Sequence, residues 1–500
     1  MIRGGAAGPL INAIAIAIAI AGAIAWPSAR TLAVEVLPAV VEAAKSGQRE
    51  AVAQFIERGA NVNAAESDGT TALHWAARAA DAPLVKQLLA AGANAKAANR
   101  YGITPLQLAA ENGDATVVRT LVAAGADPNA VLPEGETVLM TAARTGAPDA
   151  LRVLLDKGAD VHAREGWYGE TALIWAAAQD HADATRILLA HGADANERSA
   201  LLSVDKRRAG QSILPLGSWT PLMYVAREDA RNAAAVLIEA HADLNLVDPD
   251  GATALVIAIL NGHYEMAQKL IEAGADPNVV DNDAGMGALY AAIDMHRLAI
   301  GHGRPNPRQS GTLGAEDVVR LLLAHGADPN ARLKKPIMQR QHTFGDGALG
   351  NGATPLMRAA KSGDVALMQQ LLSAGADPKL EVPNGSTALM FAAGLGWRNG
   401  SALAPSYDQG TEEDAVEALR LLHGVGLDLH APNHDGDTPL HAAVGGRKSE
   451  KIIRYLLDEG AEPTRANAKG TTPLALAETR GTPEIAALLR EATSRAAAVP

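Results

Sequence analysis

Any chemistry in this chain would have to come from histidine, carboxylates, hydroxyls or glycine-rich loops, because the sequence contains no cysteine. Disulfides, thiolate metal sites and cysteine nucleophiles are thereby excluded. The fourteen histidines are scattered; His296 and His302 share one loop edge and offer only a weak basis for a metal site. The run GDGALG, with Gly345, Gly347 and Gly350, fits the spacing of a dinucleotide-binding loop. It lacks the strand–turn–helix context that such a loop needs. DNDAG at 281–285 looks like the start of a calcium loop, but no glutamate follows at the twelfth position. Walker A, zinc-protease and nucleophile-elbow motifs are absent from the sequence. These residues predict a protein that is not an enzyme and needs neither cofactor nor metal.

Five hundred residues exceed one conventional core, so several domains or one extended repeat array are expected. Hydrophobic residues make up 48% of the chain and aromatics only 3%, which leaves Ala, Leu, Ile and Val to build the interior. Such small side chains suit closely stacked helices. A net charge of −12 argues against nucleic acid as a partner, since phosphates call for a basic face.

The elements that position these residues recur with a period. TTALHWAA begins at Thr70, ITPLQLAA at Ile103, ETVLMTAA at Glu136 and ETALIWAA at Glu170. Related octets begin at Trp219, Ala252, Ala353, Ser386, Asp437 and Thr471. Thr71, Thr104 and Thr137 are 33 apart, and Thr171 lies 34 further on. GAN or GAD recurs in phase at 59, 92, 125, 158, 192, 274, 326 and 375. Each threonine supplies an N-cap oxygen, and the proline that often follows suits the first helical position. A short Ala-rich helix then breaks at a turn such as ENGD (111–114). A second helix follows, with Val117, Val118, Leu121 and Val122 on one face. Gly125 stands where a left-handed C-terminal cap is expected.

On these motifs the chain resembles the ankyrin-repeat family over roughly residues 36 to 492. The resemblance implies an all-α solenoid of about twelve helix–turn–helix units with finger-like connections. A segment at 1–25, a linker at 26–35 and a tail at 493–500 flank this array. Two departures fall in mid-array: Gly287 replaces a capping threonine, and His241 replaces a turn glycine. By resemblance, fingers and first helices line a concave groove that binds other proteins. The positions presented there include Arg78, Arg100, Tyr101, Glu111, Arg144, Trp167, Tyr168, Gln179, Trp219, Arg227 and Glu228. Arg78, Tyr101, Arg144, Trp167, Tyr168, Trp219 and Arg227 are the candidate partner-binding residues, since Trp, Tyr and Arg anchor interfaces most often. The adjacent rings of Trp167 and Tyr168 read either as a binding tip or as packing against neighbouring fingers or an insertion. Trp75, Trp175, Tyr224 and Phe391 share a position inside the first helix that predicts packing within the stack. His74 and His441 are the family's structural, hydrogen-bonding histidines.

Four insertions interrupt the period: 199–218 and 333–351 in fingers, 297–317 and 397–414 between the helices of a unit. Fingers and inter-helix turns lie at opposite ends of the first helix, so the insertions are expected to rise from opposite rims. They either narrow the groove into a clamp or are solvated decoration. Three are basic, through Lys206, Arg207 and Arg208, through Arg297, Arg304 and Arg308, and through Lys334, Lys335 and Arg340. The fourth is acidic.

At the N-terminus, Arg3, the apolar run INAIAIAIAIAGAIA and the AIA before Trp26 match the three parts of a secretory signal, with cleavage after Ala25. The same run is long enough to remain as a membrane anchor. Either outcome places the repeats outside the cytoplasm, and the motif style points to a bacterial periplasm. The sequence thus predicts an exported, monomeric scaffold for another protein. A binder of a glycan or peptide beneath the insertions is the alternative.

Overall fold

The computed structural model describes residues 39–201, 217–296, 309–337, 348–397, 410–480 and 482–497. Among them are twenty-four helices in twelve antiparallel pairs. The first helices begin at Ala39, Ala72, Pro105, Val138, Ala172, Pro221, Ala254, Ala288, Pro355, Ala388, Pro439 and Pro473, and these define units 1 to 12. The only β pairing among the described residues is five isolated bridges within fingers, such as Val131 with Thr137. The all-α repeat architecture expected from the sequence is therefore what the chain adopts.

Local chemistry sets each unit. The Thr104 hydroxyl accepts the Gln107 N–H at 3.2 Å, and Pro105 opens the helix that runs to Asn112. The second helix of the same unit, Ala115–Ala123, is capped by Asp114, which accepts the N–H groups of Thr116 and Val117. It ends in a left-handed Gly125 (φ 93°), where the Gly125 and Ala126 N–H groups close back onto Val122 and Leu121 carbonyls. Val117, Val118 and Leu121 are fully buried, while Val122 is only partly covered. First helices pack on first helices and second on second, so each unit's apolar face is covered by its neighbours.

Both mid-array departures leave a mark. His241 takes the glycine conformation at φ 58°, a region where a Cβ is costly. Gly287 pairs only through its backbone, in a bridge to Val280 and by accepting the Ala291 N–H. The last helix runs from Pro483 to Ala497, past the end of the array expected at 492.

Two bond systems lock neighbours together. At the base of the fingers, an asparagine spans units: Asn129 Nδ2 donates to the Gly158 carbonyl (2.9 Å) and its Oδ1 accepts the Asp160 N–H (2.8 Å). Asn278 does the same to Gly326 and Asp328, across an insertion. At the tips, backbone joins backbone: Arg100 N–H to Asp68, Gly166 to Glu134, Ala200 to Tyr168, Asn282 to Asp250 and Lys334 to Ala284.

Candidate partner-binding surface

The finger tips are built by side chains that collect backbone amides. Asn99 Oδ1 accepts the N–H groups of Tyr101 and Ile103, both at 3.0 Å. Four fingers further on, Asp248 Oδ1 does the same for Asp250 and Ala252. In the finger before unit 5 the collector is Glu165, whose carboxylate is only 6% exposed. It accepts from Trp167 N (2.6 Å), Tyr168 N (2.8 Å) and Glu170 N (2.9 Å). Arg164 adds a bond to the Gly169 carbonyl at 2.9 Å. The backbone beneath the two rings is thus held on every side while the rings face outward.

Exposure follows from this construction. Trp167 is 68% exposed and Tyr168 53%, so the pair does not pack against neighbouring fingers. Tyr101 is 55% exposed, with the Arg100 guanidinium stacked 5.1 Å from its ring centre. Val131 and Leu201, which sequence reading passed over, are equally open. These five side chains lie on four consecutive fingers whose tips touch. Among the described residues, the only other exposed large hydrophobic is Val425.

Inside the groove, three expected cations sit on aromatic rings. Arg78 and Lys45 flank the half-buried Trp75, at 5.7 and 4.7 Å from its centre. Arg144 stacks on Trp175 at 5.9 Å, and the Trp175 indole donates to Glu170 at 2.9 Å. Arg227 covers both Trp219 (5.3 Å) and Tyr224 (5.2 Å). Trp219 departs from the exposed anchor expected of it. It is 7% exposed and meets Tyr224 edge to face at 5.5 Å, so it supports Arg227 from below. Phe391 and Tyr224 are buried as their shared position predicts, and burial pushes the Tyr224 hydroxyl pKa upward. Trp75 and Trp175 remain half open to the groove.

The groove changes character past unit 7. Asp294 and Lys361 occupy the slot that Arg78 fills in unit 2, and Arg358 the slot of Trp75, yet all three are at most 2% exposed. Asp294 Oδ1 and Arg358 Nε form an ion pair at 2.7 Å. The described ends of two insertions meet there: a side chain at Gly396 would collide with Ala348 and would lie 3.7 Å from Lys361 Nζ. These ends come from opposite rims, as expected. The central parts of all four insertions, and with them the ligand site expected beneath, lie outside the described residues. So do Lys206, Arg207, Arg208, Arg297, Arg304, Arg308 and Arg340. Lys335 is engaged in an ion pair with Asp283.

The weaker chemical motifs find structural uses. Asp281 gives both carboxylate oxygens to the amides of residues 283 to 286, which makes a turn of DNDAG. His296 Nδ1 bonds to Asp364 Oδ2 at 2.5 Å, and His302 lies outside the described residues, as do Gly345 and Gly347. His74 Nδ1 accepts the Thr71 N–H at 3.1 Å and Nε2 reaches the Ile103 carbonyl of the next unit at 3.1 Å. His441 repeats that bridge to Thr471. Among the described residues no group of three or more His, Asp or Glu is placed to hold a metal ion. No described helix is long and apolar enough to cross a membrane.

The sequence matches the family described as "Ankyrin repeats (3 copies)" over residues 40–131, 121–199, 201–281, 312–400 and 408–497. The single "Ankyrin repeat" description matches 288–334, which covers most of the stretch between 281 and 312 and overlaps the next match. The chain belongs to the ankyrin-repeat family. Its ankyrin repeats make it, in general terms, a scaffold for protein–protein interaction, and such repeats are generally non-catalytic. It is similar to "Ankyrin repeat and SOCS box protein 11" of Danio rerio, 34% identical over 25% of this chain and 35% of that protein. "Ankyrin repeat and SOCS box protein 6" of Homo sapiens is 32% identical over 30% of this chain and 34% of its own length. "E3 ubiquitin-protein ligase KEG" of Arabidopsis thaliana is 26% identical over 54% of this chain but only 16% of that protein. The two SOCS-box matches each span about a third of those relatives.

Proposed function

We propose that this ankyrin array binds a partner protein through the fingers and open groove of units 1 to 6. The reading rests on one observation: among the described residues, five of the six exposed large hydrophobics lie on four consecutive fingers. An apolar stripe of that kind on a charged surface marks an interaction site. Stacked Arg78, Arg144 and Arg227 add planar cations along the adjoining groove, and Arg and aromatic side chains dominate interface energetics. In units 8 to 10 the corresponding groove positions are covered by the chain itself, which favours the first half as the binding face. A photo-crosslinking residue at position 167 of the full chain, expressed in its native cell, tests this. A discrete protein adduct that is absent when the residue stands at position 425 is expected. Equal yields from both positions would refute the assignment.

The same proposal places the chain outside the cytoplasm as a monomer, on the signal-like pattern of residues 1–25. Mass spectrometry of the N-terminus after fractionation decides it: a chain starting at Trp26 supports export. An intact N-terminus in the membrane fraction would make the array a tethered scaffold.

A further inference from the structure

We infer that the segment held by the finger ridge is an extended polypeptide that joins an apolar, aromatic or aliphatic stretch to a cluster of lysines or arginines. This rests on the protein-binding reading above and specifies the chemistry of its partner.

The ridge has an order that the close approach of successive tips fixes: Gly102 lies against Pro133, Gly166 bonds to Glu134 and Ala200 to Tyr168. Tyr101, Val131, the Trp167–Tyr168 pair and Leu201 follow one another along four fingers, each tip contributing one or two side chains. A linear segment laid across the tips meets all of them in turn. The charged groups on these tips, Arg100, Glu134, Arg164 and the buried Glu165, are few and balanced in sign. The next two finger connections, 241–253 and 274–287, are different. They hold Asp243, Asp248, Asp250, Asp276, Asp281 and Asp283 and contain no lysine or arginine. Over residues 217–296 there are twelve Asp and Glu against three Lys and Arg. Three cations reach this region from neighbouring elements: Lys335 pairs with Asp283, Arg358 with Asp294, and Arg198 donates to the Val247 carbonyl. They offset only part of the charge.

Arg198, in the Leu201 finger, donates to the Val247 carbonyl of the first acidic finger, and Asn282 bonds to Asp250 between the two acidic ones, so the acidic fingers follow the apolar ones along the array. A partner matching both is apolar where it crosses units 3 to 6 and cationic where it crosses units 6 to 8. Complementary charge sets register and raises the association rate, while the rings supply most of the affinity. Acidic segments are disfavoured twice, by the local carboxylates and by the net charge of −12.

Random linear peptides displayed on phage, selected on the immobilised full chain, test the inference. The expected enriched family carries aromatic or aliphatic residues beside a Lys/Arg cluster. A synthetic representative should bind the Trp167→Ala/Tyr168→Ser chain about tenfold more weakly or worse. It should bind Asp250→Asn/Asp283→Asn a few-fold more weakly, with a flatter salt dependence. Both variants alter finger tips, and an unchanged thermal transition confirms that each is folded. Enrichment of acidic peptides, or a basic–apolar peptide indifferent to the ridge variant, overturns the inference. Uncharged peptides lost with the ridge variant overturn its charge half and leave the protein-binding reading intact. Absence of any enriched peptide overturns the extended-segment inference, while the crosslink at position 167 judges the broader reading separately.

Discussion

Replacing Glu165 by alanine removes the carboxylate that gathers the amides of Trp167, Tyr168 and Glu170 at 2.6, 2.8 and 2.9 Å. Hydrogen bonds to a charged acceptor contribute about 1.5–3 kcal/mol each when buried. Here residues 166 to 168 are exposed, so water can replace much of what is lost. A net local cost of about 2–3 kcal/mol follows. The loss stays local because Gly166 remains bonded to Glu134, and Ala200 to Tyr168. Hydrogen exchange at the Tyr168 and Glu170 amides measures it directly. At tenfold per 1.4 kcal/mol, exchange should accelerate by about 30- to 150-fold, with little change in the global denaturation midpoint. Partner binding should weaken as well, because the rings then have to be ordered on contact. Unchanged exchange at Tyr168 would refute the idea that Glu165 preorganises this tip.

Gly287→Thr restores the missing cap, and its Cβ would sit 3.4 Å from Val280, an ordinary contact. Stability measured by urea denaturation should rise by about 1 kcal/mol. Asp294→Ala leaves the Arg358 guanidinium buried without its 2.7 Å carboxylate and should cost about 3 kcal/mol, since Arg358 keeps other contacts. Asp294→Leu/Arg358→Met should recover most of that loss; a double variant no better than the single one would contradict the desolvation account. Burial holds the His74 pKa below its usual 6.5, so the folded state prefers the neutral ring. Its contribution to stability is complete above that value and falls as pH drops through it, by at most about 1.4 kcal/mol per pH unit. Denaturation midpoints at pH 7.5 and 5.5 should differ less in His74→Gln than in the parent chain.

Much of this molecule is legible in the sequence because each unit is specified by chemistry within itself. Thr104 caps its own helix, Gly125 turns its own corner, and the phase of such residues carries the twelve units. Even the altered glycine position at His241 was readable, since the turn leaves that residue little choice of backbone. What the sequence concealed depends on distant chain. Asp294 and Lys361 stand in the slot of the exposed Arg78, but Arg358 of the next unit engages the first and residues 348 and 396 close in beside the second. Trp219 precedes a capping threonine, where the sequence predicts an exposed anchor, yet its ring turns inward beneath Arg227. Glu165 left one trace, the spacing of 34 that gives its finger an extra residue. The spacing announced a longer tip without saying that a carboxylate would fold it.

The asparagine bridges at the base of the fingers have a bearing on how this chain has grown. Asn129 finds its glycine carbonyl 29 residues downstream, whereas Asn278 finds the equivalent one 48 residues away at the same 2.9 Å. The joint between units is therefore indifferent to how much chain runs between its halves. Extra segments can be spliced into a turn and later altered or discarded while the joint closes around them unchanged. An architecture of this kind separates what must be inherited intact from what can be tried out, and it lets new surface appear without a new fold having to be found.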